Sequence, residues 1–333
     1  MTWNSDNMAN IDNPHEEINR LLDGNIRALS KLITLVESDP QILASVYPEI
    51  KDAVGRNHIV GITGPPGAGK STLSSALVSI IRDTGRTVAI LACDPSSPFT
   101  GGAVLGDRVR MQSHYADPGV FIRSISSRGS GGGLSASTYG ITTLLDAFGF
   151  DMVLLETVGV GQTELDVMKI SDTVIVVLVP ESGDSIQTMK AGLMEIADIF
   201  VVNKSDRVGA DRMVKDVRGA LQLSENHAVS LPPVLKTRAD AGDGVPELLF
   251  EIDRMHSDRE SHDRLDSHKS RKRLEALRTT TLLQIESILD TNLDEENSGA
   301  NFEVIKLKKD VELGRIDPIS ASRTLVDLIK NLE

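Results

Sequence analysis

Two strings in this chain hold residues whose types and spacing could do chemistry. The first is Gly64-Pro65-Pro66-Gly67-Ala68-Gly69-Lys70-Ser71, followed by Thr72. Its glycines let consecutive backbone N–H groups turn inward on a phosphate chain, and the N-terminus of the helix that follows adds its positive end. Lys70 can reach β- and γ-phosphates, and the Ser71 hydroxyl can ligate Mg²⁺. The spacing is that of a P-loop, which carries weight only between a strand and a helix. The apolar run His58–Thr63 before it and the periodic Thr72–Val78 after it supply that context. The string predicts binding of a nucleoside triphosphate.

The second string is Asn203-Lys204-Ser205-Asp206, which closes the apolar run Ile199–Val202. An N-K-x-D at the C-terminal edge of a strand lies where ligands bind in open α/β sheets. The Asp206 carboxylate can accept from both N1–H and the exocyclic amine of guanine, a donor pair adenine lacks. Asn203 would hold base and loop, and the Lys204 stem would lie along the ring. Lys236-Thr237-Arg238-Ala239 stands where a second base contact belongs, with Thr237-Arg238 replacing the usual serine pattern; it reads equally as a plain strand exit. GTP and GDP are therefore the expected ligands.

Two acids complete the set. Glu156 ends the apolar segment Met152–Leu155 in an E-x-x-G string, where its carboxylate can orient Mg²⁺-bound or attacking water, and Gly159 can offer a backbone N–H to a γ-phosphate. Asp94 ends the run Thr87–Cys93; it fits the Mg²⁺ shell, or a helix cap. No glutamine directly follows Gly159, and Gln162 comes three positions later. Slow intrinsic hydrolysis, accelerated when a partner orders the loops, is the expectation.

These residues need a scaffold that brings several strand ends together. Strands are expected at His58–Thr63, Thr87–Cys93, Val120–Ser124, Met152–Glu156, Thr173–Val179, Ile199–Asn203 and, more weakly, Pro233–Lys236. Runs such as Val174-Ile175-Val176-Val177-Leu178-Val179 lack polar alternation, so both faces are covered, as in a parallel sheet flanked by helices. The fold class is α/β: a doubly wound, mostly parallel sheet. His15–Ser38 reads as one helix and Gln41–Val54 as a second. Beyond about Arg254 the pattern turns helical, with a long stretch at Arg264–Leu289, another at Val304–Leu313, and Asp317-Pro318 opening a last helix. The expected division is an N-terminal helical segment 1–54, a P-loop domain 55–254 and a C-terminal helical segment 255–333. The run Lys269, Arg271, Lys272, Arg273 is a patch for acidic partners or a solvated helix face.

Composition narrows the classes. With 333 residues the chain can bury a substantial core, and 3% aromatics leave that core to aliphatics. A formal charge of −13 argues against nucleic-acid binding. The single cysteine, Cys93, reads as a small buried hydrophobe. No apolar run of about 18 residues suggests a membrane span, no leader pattern is read at the N-terminus, and the expected compartment is the cytoplasm.

With these residues in view, the chain resembles the methylmalonyl-CoA mutase-associated GTPases, often labelled MeaB or ArgK, within the wider family that holds the nickel-insertion GTPases of hydrogenase and urease. The resemblance rests on Leu22–Leu29 with Ile33–Glu37, the P-loop, Asp94-Pro95-Ser96-Ser97 with Thr100-Gly101-Gly102 and Leu105-Gly106-Asp107-Arg108, Glu156-Thr157-Val158-Gly159-Val160-Gly161-Gln162, and Asn203–Asp206. It implies a homodimeric GTPase, with its dimer contacts in the C-terminal segment, that gates adenosylcobalamin delivery to a cobalamin-dependent acyl-CoA mutase and protects that enzyme. Adenosylcobalamin would be met only through the partner, and a cobalamin adenosyltransferase is a further implied partner. By the same resemblance Asp94 and Asp107 belong to switch I and the Mg²⁺ shell, and Glu156 to switch II. Glu181–Lys190 would be an extra switch in which Asp184, Gln187 and Lys190 couple nucleotide state to the partner; ordinary loop charges remain the alternative. Ser126–Leu134 and the Thr237–Gly244 segment depart from the family pattern, which suggests a divergent branch serving a different mutase. Two other activities stay open: metal insertion on the same fold, and phosphoryl transfer to an amino-acid transport protein.

Overall fold

The computed structural model describes residues 13–95, 111–127, 133–157, 168, 170–180, 191–223, 231–261 and 302–330, with individual helical residues between 270 and 289. Within them seven strands form one parallel sheet: β1 (His58–Thr63), β2 (Val88–Pro95), β3 (Val120–Ser127), β4 (Met152–Thr157), β5 (Thr173–Leu178), β6 (Ile199–Val202) and β7 (Val234–Lys236). Their spatial order is β3-β2-β4-β1-β5-β6-β7, and every pairing is parallel. The chain runs outward from β1 in one direction to β2 and β3, then from β4 crosses to β5, β6 and β7. The topological switch lies beside β1, which puts the crevice at its C-terminal end.

Alternate strand residues explain the layers. Val60, Ile62, Ile90, Leu154, Ile175 and Val177 face one side and pack with Leu73, Leu77, Val78 and Ile81 of α4 (Lys70–Asp83) and with Val245, Leu248 and Ile252. The opposite residues, among them Ala89, Leu91, Val153 and Leu155, share a core with Ile18, Leu21, Leu29, Leu32, Ile33 and Val36. Those six come from α1 (Pro14–Leu22) and α2 (Ile26–Ser38), which α3 (Gln41–Ile50) and α5 (Gly133–Phe148) flank. Each of these fully buried aliphatics contributes about 1.5–3 kcal/mol relative to exposure. Over β5 and β6, Val176, Leu178, Phe200 and Val202 pack against Met213, Val214, Val217 and Leu221 of α7 (Ala210–Leu223); the short α6 (Ala191–Ile196) precedes β6. Cys93 is buried in β2.

The expected single helix over His15–Ser38 is two helices. The chain turns through Asp23 and Gly24, where Asn25 N donates to the Arg20 carbonyl at 2.9 Å. The Asn25 carboxamide then accepts from Arg27 N at 3.0 Å and Ala28 N at 3.2 Å, capping α2. Apolar periodicity runs through the break because both helices bury the same side. α8 (Val245–Ser261) is one continuous helix through residue 254.

The chain divides into two compact units, residues 1–276 and 277–333. In the second unit, α9 (Phe302–Glu312) and α10 (Pro318–Lys330) pack on one another. Asp317 caps α10 by accepting from Ile319 N at 3.0 Å and Ser320 N at 2.9 Å. A hydrogen bond with the Ser320 side chain, then these backbone N–H groups, holds its carboxyl below the usual carboxylate range. Among the described residues no helix is long and apolar enough to cross a membrane.

Candidate functional site

Those residues singled out from sequence that the structure describes gather along the C-terminal edge of the sheet. The loop 64–69 leaves β1 and feeds α4, so the glycine string lies between strand and helix. Gly64 holds φ +146°, and a Cβ there would lie 2.2 Å from the Val177 carbonyl oxygen. β5 therefore presses on the loop from behind, and only glycine lets the backbone pass. Gly69 stands at the cap of α4 with φ +86°, where a Cβ would come 2.5 Å from Asn203 Nδ2. Lys70 is buried, and its ammonium donates to the carbonyls of Gly64 at 2.9 Å and Pro65 at 3.2 Å. The side chain thus arches over its own loop.

Glu156 sits at the end of β4, the neighbour of β1, and is 5% exposed. Ser71 Oγ donates to its Oε1 at 2.6 Å, and Ser74 Oγ, one helical turn on, donates to Oε2 at 2.9 Å. Next along β4, the Thr157 hydroxyl donates to Thr63 Oγ1 at 3.1 Å, tying the end of β4 to that of β1. A hydroxyl and a carboxylate held this close form an all-oxygen donor set of the kind hard divalent cations take, so the residues present fit Mg²⁺. Asp94 lies in β2 one residue beyond Cys93, whose register partner on β4 is Thr157; its side chain is outside the described residues. Asp107, Gly159, Gln162, Asp184, Gln187 and Lys190 also lie outside them.

Asn203 follows β6 and is 2% exposed. Its Nδ2 donates to the Ala68 carbonyl at 2.9 Å, while Oδ1 accepts from Thr237 Oγ1 at 3.0 Å and from Ala239 N at 3.2 Å. One side chain therefore fastens the glycine loop to two later strand exits. Lys204 adopts φ +56°, a left-handed conformation uncommon outside glycine. Its ammonium donates to the Gly67 carbonyl at 2.8 Å, a second strap on the loop. Ser205 N donates to the Thr237 carbonyl at 3.0 Å, and Asp206 is exposed at the turn that follows.

The departure at Thr237 has a simple reading here. Thr237 is fully buried, and its hydroxyl does for Asn203 what a serine hydroxyl could do. Arg238 is exposed and faces Asp240 at 3.6 Å and Asp243 at 4.0 Å. Its backbone N–H donates to the Asp243 carbonyl at 2.9 Å, closing the loop that presents Ala239. Just before it, Lys236 Nζ pairs with Asp211 at 2.9 Å, and this hydrogen bond holds the Asp211 carboxyl below the usual carboxylate range.

Sequence reading missed Ser74. The signal was there, since Ser74 follows Ser71 by three positions and so shares its helix face, but a serine inside a helix draws no attention until the strand facing it is known.

Comparison with known proteins sets this geometry in context. The family model described as methylmalonyl-CoA mutase-associated GTPase MeaB matches residues 29–296. A Pyrococcus horikoshii protein named as a GTPase is 53% identical over 71% of this chain and 76% of its own length. A Pyrococcus abyssi protein, likewise named, is 46% identical over 92% of this chain and 94% of its own. The crystal structure of a LAO/AO transport system kinase superposes with a TM-score of 0.69 at 27% identity, covering 99% of this chain and 100% of that one.

Proposed function

The chain belongs to the MeaB family of methylmalonyl-CoA mutase-associated GTPases and is itself a P-loop GTPase; from that premise we propose that it hydrolyses GTP at the edge just described and uses the nucleotide state to serve a cobalamin-dependent acyl-CoA mutase. In this reading residues 64–72 wrap the phosphates, with Lys70 leaving the carbonyls of Gly64 and Pro65 for the β- and γ-oxygens. Asp206 selects guanine, and Asn203, Lys204, Thr237, Arg238 and Ala239 shape the base pocket. The observation that carries the reading is the Asn203 hub, because it makes phosphate loop and base loops one unit. A base recognised at one end then fixes the cradle at the other, which is the positioning phosphoryl transfer demands.

Ser71 and Glu156 would hold Mg²⁺, with Asp94 and Asp107 in its surroundings; when bound, the ion would neutralise charge on the phosphate oxygens. Ser71 can offer its lone pairs to a cation while its O–H goes on donating to Glu156 Oε1. Glu156 also stands where a carboxylate can orient an attacking water, and Gly159 would present its N–H to the γ-phosphate. Turnover is slow alone and rises when a partner orders the loop after β4. Asp184, Gln187 and Lys190 carry that coupling to the mutase. The protein acts as a homodimer in the cytoplasm, gates adenosylcobalamin loading and protects the mutase; it meets the cobalamin through its partners, which include an adenosyltransferase.

GTP and ATP turnover measured with and without purified cobalamin-dependent mutases tests this. The expected result is preference for GTP and acceleration by one mutase. Preference for ATP, or a rate no mutase alters, contradicts it, and label transferred from the γ-phosphate to a protein would favour a kinase instead.

A further inference from the structure

We infer that Ser74 is a positioning residue for the switch carboxylate, a clamp that makes Glu156 usable where a shorter aspartate would need no second anchor. The inference rests on the proposed reading of the site and deepens it. Ser71 and Ser74 stand three residues apart on α4, and their hydroxyls take the two oxygens of one carboxylate, at 2.6 and 2.9 Å. Ser74 is fully buried and Glu156 nearly so, and no water from bulk can substitute for either bond without opening the interface between α4 and β4.

The proton count on Ser74 decides what the contact does. Its Oγ lies within hydrogen-bonding distance of both the Lys70 carbonyl, at 3.0 Å, and Glu156 Oε2, at 2.9 Å. A hydroxyl has a single proton to give. A carboxyl oxygen at the shorter distance is the better acceptor, so the Ser74 hydroxyl donates to Glu156, and the helix carbonyl keeps its backbone partner. Glutamate has one more rotatable bond than aspartate, so an unclamped carboxylate at the end of β4 would sample several orientations. Held at both oxygens, Oε1 stays against Ser71 and the carboxylate keeps one orientation. Fixing a group before the reaction, rather than during it, is what makes such an orientation catalytically valuable.

The test uses the full-length protein and Ser74→Ala, a change that favours the helix and leaves the backbone bonds of α4 intact. Three readouts are taken: GTP turnover, dissociation of a fluorescent GDP across a Mg²⁺ titration, and melting without nucleotide. The clamp predicts that kcat falls about tenfold, the size of one lost hydrogen bond to a charged group, while KM for GTP changes less than about twofold. The Mg²⁺ concentration giving half its effect on GDP release rises by a similar factor, and Ser74→Thr restores both. In a Glu156→Ala background, adding Ser74→Ala changes neither further, because the clamp acts only through the oxygens of that side chain. A Ser74→Ala protein that melts lower yet keeps its kcat and Mg²⁺ response overturns the inference, as do effects that multiply independently in the double variant. If Glu156→Ala by itself leaves the Mg²⁺ response intact, the reading of the site fails, and the clamp falls with it.

Discussion

Replacing Asn203 by alanine should damage the fold and the site together, by an amount the structure allows to be worked out. The side chain is 2% exposed and makes three hydrogen bonds, to the Ala68 carbonyl and from the Thr237 hydroxyl and Ala239 N–H. Each is worth about 1 kcal/mol net, and more where the abandoned partner stays buried and dry. Thr237 is fully buried and Ala239 6% exposed, so water replaces these bonds poorly. Asn203→Ala should therefore cost about 3–4 kcal/mol, which lowers Tm by about 4–6 °C in a fold of this size. Thr237→Val keeps the shape and removes one of the three bonds, so it should cost about 1 kcal/mol. The two are coupled through that bond, and the double variant should fall short of the sum by about 1 kcal/mol. The assay is urea denaturation of the nucleotide-free protein for the four members of the cycle, followed by GDP titration. GDP affinity should fall at least about tenfold in Asn203→Ala, because the glycine loop loses the buried one of its two straps while every residue expected to touch phosphate remains. A stability loss below about 1 kcal/mol, or strictly additive variants, would refute the claim that Asn203 is a hub.

Two further outcomes follow from the same geometry. Gly64→Ala would set a Cβ 2.2 Å from the Val177 carbonyl oxygen; since that oxygen belongs to a central strand, the loop must move, and nucleotide affinity should fall at least about a hundredfold, as a fluorescent-GDP titration would read. Away from the site, Asp117 takes a bidentate bond from Arg82 at 2.9 Å, and this bond, then the Gly119 N–H, holds its carboxyl below the ordinary 3.8. A carboxyl depressed on folding adds stability that is present above its unfolded value and lost as pH falls through its folded value. Asp117→Asn should thus flatten the decline of Tm as pH falls below the ordinary 3.8; an unchanged slope in acid melts would contradict it.

Much of the fold can be read from the chain because apolar runs on both strand faces leave few alternatives to a covered parallel sheet. The run Val174–Val179 demands cover on both sides, and it has it. Hydrophobic periodicity is blind, however, to a turn that leaves the buried side unchanged, so the break at Gly24 between α1 and α2 passes unseen although Asn25 is a plain cap. At the site, the spacing of Gly64 to Ser71 fixes a loop because glycine, lysine and hydroxyl have few other reasons to stand so. What spacing does not reveal is long-range partnership. That Asn203 fastens Ala68, 135 positions away, or that Ser74 reaches Glu156 across 82, depends on which strands are neighbours, and strand order is set by packing of the whole sheet rather than by any local string.

The central claim is that a carboxylate beside the Asn203 hub chooses the purine, and affinities of GDP and XDP for the wild type and Asp206→Asn test it most directly. A carboxylate pairs with N1–H and the exocyclic amine of guanine, whereas a carboxamide can give a proton to the 2-oxo group of xanthine. Wild type should favour GDP by about a hundredfold or more, and the variant should reverse that order. Equal preference for GDP in both proteins would contradict the account.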